Sequence, residues 1–140
     1  MTEYPERITP GREWLFIHAL NEIAESIGST THDPISLHLF CLTYDITFDE
    51  LGKILVAYNT ILRSHTFEEL NFSLFKDALI KECKAAKNFH DDIIAAFIIV
   101  FAKWMLIELR PFAAALQKSY PFSSDEYPKY GTLEYDPSWV

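Results

Sequence analysis

Along most of the chain, large apolar residues recur every three or four positions, the period of a helix that buries one face. From Gly11 to Ile27, Phe16, Leu20, Ile23 and Ile27 share one stripe, with Glu22, Glu25 and Ser26 away from it. Pro10 stands where a first helical residue tolerates a missing N–H, and Gly28 supplies a stop. Ser29 to His32 reads as loop. Residues 33–46 carry two signals. Asp33-Pro34 is a good helix start, whereas Ile35, Leu37 and Leu39 alternate with Ser36 and His38 as a strand would. The helical pattern on either side favours helix. Thr47-Phe48-Asp49-Glu50 has the form of a capping box and opens a helix to about Ser64, whose apolar face is Leu51, Leu55, Tyr58 and Leu62. Thr66-Phe67-Glu68-Glu69 repeats that opening. It predicts a short helical turn leading into a longer helix, about Phe72 to Lys87, with Phe72, Phe75, Leu79 and Cys83 inside and Lys76, Lys81 and Lys84 in water.

The pattern then changes. After Asp91-Asp92, whose charges suit the positive end of a helix dipole, Ile93 to Ala102 shows no polar face for about three turns. A helix apolar all round must be enclosed, and only a shell of other helices is at hand to enclose it. The stretch from Ile93 to Ile107 also includes Lys103 and falls short of the roughly 20 apolar residues of a membrane span. Arg110-Pro111 ends this helix, because the residue before proline avoids helical geometry, and Phe112 to Ser119 turns back beside it. From Tyr120 the prolines Pro121, Pro128 and Pro137 break the periodicity, while Tyr120, Tyr127, Tyr130, Tyr135 and Trp139 add adhesive surface. The expected fold is a single all-α domain over residues 1–140. It is a bundle of about six or seven helices wrapped around a central hydrophobic helix at about 89–109, with an aromatic and proline-rich tail at 120–140.

Composition agrees with one folded domain. Of 140 residues, 49% are hydrophobic and 23% charged, and only 4 are glycine, which argues against wholesale disorder. Twenty acids against 12 bases leave a formal charge of −8, which argues against phosphate-backbone binding as the main task and permits a basic partner. Two cysteines, Cys41 and Cys83, are too few for a disulfide framework or a four-cysteine zinc site and read as partly buried free thiols in a reducing compartment. No secretory signal precedes the first helix, since Glu3, Glu6 and two prolines occupy its place.

Chemistry-bearing patterns are sparse. Arg12 and His18, separated by five residues, have a spacing used by helical ribonucleases of the HEPN class, but on one helix that spacing turns the two side chains to different faces. His90-Asp91-Asp92 offers ligand types, but adjacent helical residues do not converge on one ion. Neither cysteine has a nucleophile setting, and no glycine loop cradles phosphate. The expectation is a protein that is not an enzyme and has no metal or cofactor. What remains is a surface for binding, and helical domains built around a greasy helix take amphipathic partner helices in grooves between their own.

The order of features resembles the B-cell-lymphoma-two (Bcl-two) family of apoptosis regulators over residues 11–119. Arg12-Glu13 opening the run to Gly28 resembles that family's first helix. Phe40-Cys41-Leu42-Thr43-Tyr44-Asp45 resembles its death motif, and Phe67 to Lys87 resembles the helices walling its groove. Phe89 to Phe97 resembles the start of its central helix, with the Arg110-Pro111 break completing the central hairpin. There are departures. Where the family has Asn-Trp-Gly-Arg this chain has Phe89-His90-Asp91-Asp92, so an acid replaces the arginine that pairs with the guest's aspartate. Tyr44 replaces the small residue of the death motif, and no membrane anchor follows.

The resemblance implies an apoptosis inhibitor that sequesters the amphipathic death-motif helix of a pro-apoptotic protein in a hydrophobic groove. The short, anchorless form is nearer to viral members, acting in the host cytoplasm or peripherally at mitochondria. It implies Leu51, Leu55, Tyr58, Leu62, Phe67, Leu70, Phe75 and Leu79 as groove walls, with Asp92 and Phe97 at the floor. The tail would cover that groove or join a homodimer. Two other classes remain open: an acidic inhibitor or immunity protein that blocks a basic enzyme, whose binding salt should weaken steeply, and the HEPN-like ribonuclease.

Overall fold

A computed structural model describes residues 10–31 and 33–119 of the chain. Its axis is the helix that the sequence makes apolar all round, α5 (Asp91–Trp104), preceded by α1 (Pro10–Ser26), α2 (Leu37–Tyr44), α3 (Phe48–Ser64) and α4 (Phe72–Glu82), and followed by α6 (Arg110–Ser119). Short 3₁₀ turns lie at Phe67–Glu69, Lys84–Asn88 and Ile107–Leu109, and there is no strand among the described residues. The tail at 120–140 and its Trp139 lie outside them.

Ile94 through Ala102 are each 0% exposed, so α5 has no solvent face over about two and a half turns. The jacket is continuous: Leu37 and Phe40 of α2, Ile54 and Tyr58 of α3, Phe75 and Leu79 of α4, and Phe112 and Leu116 of α6 share one core with it. Aromatic rings join the layers. Phe97 lies 5.7 Å from Phe40 and 5.3 Å from Phe101, Tyr58 meets Phe101 edge-on at 5.3 Å, and Phe75 meets Phe112 at 4.9 Å. Each such pair adds about 0.5–1.5 kcal/mol beyond simple burial. The Tyr58 hydroxyl, fully enclosed, donates to the Phe75 carbonyl at 3.2 Å, which removes the penalty of burying it alone.

Helix ends are set by side chains, and four boundaries differ from the sequence expectation. The Thr47–Glu50 capping box forms as expected, with the Glu50 N–H donating to Thr47 Oγ1 at 3.1 Å and the Thr47 N–H to Glu50 Oε1 at 3.0 Å. Residues 33–46 do fold as helix, but only from Leu37: Ser36 is the cap, its hydroxyl accepting from the Leu39 N–H at 3.2 Å, and Asp33-Pro34 precedes it. That helix ends on Asp45 in the left-handed region at φ +61°.

α4 stops at Glu82, short of Lys87, because the Lys84 N–H donates to Glu50 Oε2 at 3.0 Å instead of continuing the ladder. Lys76 does not face open water either; it donates to Asp91 at 2.7 Å and ties α4 to the start of α5. α5 in turn ends at Trp104, well before Arg110-Pro111. That pair opens α6, where a second-position proline loses no helical bond, and the Arg110 guanidinium donates back to the carbonyls of Ala102 (3.0 Å) and Lys103 (2.7 Å). The arginine thus caps the helix that the sequence pattern has it terminate.

α1 is the largest departure. Helical period predicts that its stripe of Phe16, Leu20, Ile23 and Ile27 faces the core, yet these residues are 47%, 44%, 60% and 69% exposed. α1 instead touches the body through Ala24, with Ile17 and Asn21 half-buried, a face roughly a quarter turn from the stripe. The buried position carries a small side chain, and the large ones are left outside.

Candidate functional site

An apolar depression of about 400 Å³ lies where the end of α3 and the following 3₁₀ turn meet the start of α6. Local signals build its walls. α3 terminates at His65, whose extended backbone turns the chain out of the helix, and whose ring Nδ1 lies 2.9 Å from the Ile61 carbonyl. The Glu69 carboxylate then accepts from the Thr66 N–H at 2.7 Å and winds Phe67–Glu69 into a single turn. This places the Phe67 ring 6.5 Å from Phe112, edge-on. On the opposite lip the 3₁₀ turn at Ile107–Leu109 holds Ile107 59% exposed, beside Pro111.

Three of the expected wall residues, Leu62, Phe67 and Leu70, come together here. The others do not. Leu51, Tyr58, Phe75 and Leu79 are sealed in the core, and Leu55 is half-buried against it. Phe97 cannot be a groove floor in this conformation, since Phe40 and Tyr58 close over it. Asp92 stands at the start of α5, with one carboxylate oxygen accepting from the Ile93 N–H at 2.8 Å. It is roughly 18 Å along the axis from the end of α5 near which the depression opens. Its charge, second to burial, raises the pKa of the Tyr44 hydroxyl.

Ile107, Pro111 and Phe112 line the depression without having been singled out by periodicity. The Arg110-Pro111 pair beside them reads in the sequence only as a helix end, but it forms a corner between two helices. Glu108 also borders the depression, the acid among its described lining residues, with His65 in the same lining.

Other chemistry is placed as follows. The Arg12 guanidinium lies over the Phe16 ring at 5.9 Å and the His18 ring stacks on Trp14 at 5.2 Å, so each is engaged by a different aromatic neighbour on α1. His90 precedes α5 as its cap residue, and Asp91 is held by Lys76. No group of three or more His, Cys, Asp or Glu side chains converges as a metal site among the described residues, and none of their charged, histidine, amide, serine or threonine side chains is buried. Cys41 and Cys83 are buried free thiols; burial pushes the Cys41 thiol up to about 12, with Cys83 adding to the effect. A depression of about 660 Å³ between the start of α3 and the end of α4 is ringed by Lys53, Lys81, Lys84 and Lys87, but Asp45, Glu50 and Glu82 share it. Charges of both signs leave it little net potential.

No helix among the described residues is long and apolar enough to cross a membrane. Comparison with protein-family models, curated protein sequences and solved structures finds no match to this chain.

Proposed function

We propose that the chain is a helix-binding interaction domain whose groove between α3 and α6 receives the apolar stripe of an amphipathic partner helix. The observation that carries this reading is Ile107, an isoleucine held largely in water on the lip of an apolar depression that reaches the core residues Leu70 and Phe112. Helix recognition of this kind uses anchors at i, i+3 or i+4, and i+7, spaced to reach the pockets of a short groove. Burial of those anchors supplies the driving force, about 25 cal/mol per Å² before the costs of association.

The resemblance to the Bcl-two family gives the guest its identity in this proposal: the death-motif helix of a pro-apoptotic protein, sequestered so that mitochondrial permeabilisation is blocked. Asp92 lies at the far end of α5 from the groove, so the guest's aspartate need not meet it. Glu108 and the formal charge of −8 favour guests with basic residues flanking the stripe.

The test is a fluorescence-polarisation titration of labelled amphipathic peptides, death-motif sequences among them. Saturable binding is expected, lost in Phe67→Glu and in Ile107→Glu and kept in Val56→Glu, an exposed α3 position outside the groove. If no peptide saturates, or Ile107→Glu binds as well as the native chain, the groove is not a helix receptor. Tight binding to a basic protein that collapses with salt would move the protein to the acidic-inhibitor class.

A further inference from the structure

α1 presents its large apolar side chains to water, although a helix of 17 residues is only marginally stable unless such a face is packed. Phe16, Leu20 and Ile23 of α1, with Ile27 just past its last residue Ser26, are spaced by four, three and four residues, a pattern that reads the same in both directions. Under a two-fold axis between Asn21 and Glu22, Leu20 meets Ile23 of the second copy and Phe16 meets Ile27. A surface that is its own complement under a two-fold is what an isologous dimer requires.

Charge permits the same pairing. The acids within the span, Glu22 and Glu25, fall on other faces of the helix, so no carboxylate is forced against its symmetry mate at the centre. Antiparallel helices also set opposite dipole ends side by side. Half a phenylalanine is about 100 Å² and the exposed parts of Leu20, Ile23 and Ile27 are of similar size, so two copies remove at most about 800 Å² from water, the scale of a weak, reversible contact.

We infer that the exposed stripe of α1 is a self-association surface, pairing antiparallel with α1 of a second copy of this chain. The interface is weak, in the micromolar range, and independent of what the groove takes. Because each copy carries a formal charge of −8, added salt tightens it by screening the repulsion between bodies.

Sedimentation equilibrium on the full chain, from micromolar to submillimolar concentration, tests this. Leu20→Lys and Ile23→Glu should each weaken the dimer by at least about 30-fold, since each sets an unpaired charge against an apolar residue. Both positions are exposed in the single chain, so far-ultraviolet circular dichroism and the thermal transition at low concentration should not change. An equimolar mixture of the two variants should associate again. In one contact the introduced lysine then meets the introduced glutamate, and in the other the native Ile23 meets the native Leu20. A chain that stays monomeric to submillimolar concentration overturns the proposal. So does a dimer indifferent to both substitutions, or a mixture that fails to restore association.

Discussion

If α5 is enclosed on every side, truncating its side chains should be costly whichever way they point. Ile98 and Ile99 are adjacent, so they project about 100° apart, and both are fully buried. Replacing either by alanine removes three carbons from the core. At about 0.8 kcal/mol per methylene the lost transfer energy is about 2.4 kcal/mol. The cavity left behind adds about 1 kcal/mol at about 24 cal/mol per Å³ once neighbours have partly relaxed. Each variant should therefore lose about 3–4 kcal/mol, and Val56→Ala, on the exposed side of α3, should stay within about 0.5 kcal/mol of the native chain. The assay is urea unfolding at 25 °C followed by circular dichroism, compared at constant slope so that midpoints report stability. A surface helix would show one large and one small loss as the side chain rotates out of the core. Should Ile99→Ala cost under about 1 kcal/mol while Ile98→Ala costs over about 3, α5 has a solvent face and the jacket is not closed.

Arg110→Met should destabilise the chain by about 2 kcal/mol, because it removes two charge-assisted hydrogen bonds from the last carbonyls of α5 while keeping the apolar stem. Thermal unfolding measures it, and a midpoint equal to the native one would show that water caps those carbonyls equally well. Glu50 accepts N–H bonds from Thr47 and Lys84, which hold its carboxyl pKa below the usual value in the folded state. A depressed folded pKa means that the stabilisation is present above the unfolded pKa, near about 4.3, and is lost as pH falls through the folded value. Glu50→Gln should therefore flatten the stability-against-pH curve below about pH 4, measured as urea midpoints from neutral to acid. An unaltered acid limb would show that the carboxylate has no folded-state preference for its charge.

Much of this fold was legible in the chain itself because its signals are local. The Thr47–Glu50 box, the Gly28 stop and the aspartates opening α5 each act within one turn of helix. The run from Ile93 to Ala102 forced enclosure by the simple absence of any polar face. Those features determined an all-helical bundle with its greasiest helix inside.

What the sequence left undecided was always a matter of which distant group reached a given backbone atom or side chain. Glu50 draws off the N–H of Lys84, which lies 34 residues away in the chain, and so ends α4 early. Arg110 folds back on α5 and converts an apparent break into a corner, thereby making Ile107 and Phe112 neighbours of Leu62 and Phe67. For the groove, the family resemblance implied Leu51, Leu55, Tyr58, Phe75, Leu79 and Phe97 along with Leu62, Phe67 and Leu70, and an apolar residue at helical spacing looks the same whether it meets a core or an opening. Packing alone separated them. The same ambiguity ran the other way in α1, where an apolar stripe indistinguishable from a core face is left in water, because helix period fixes which residues share a side and only the arrangement of neighbouring helices fixes what that side meets.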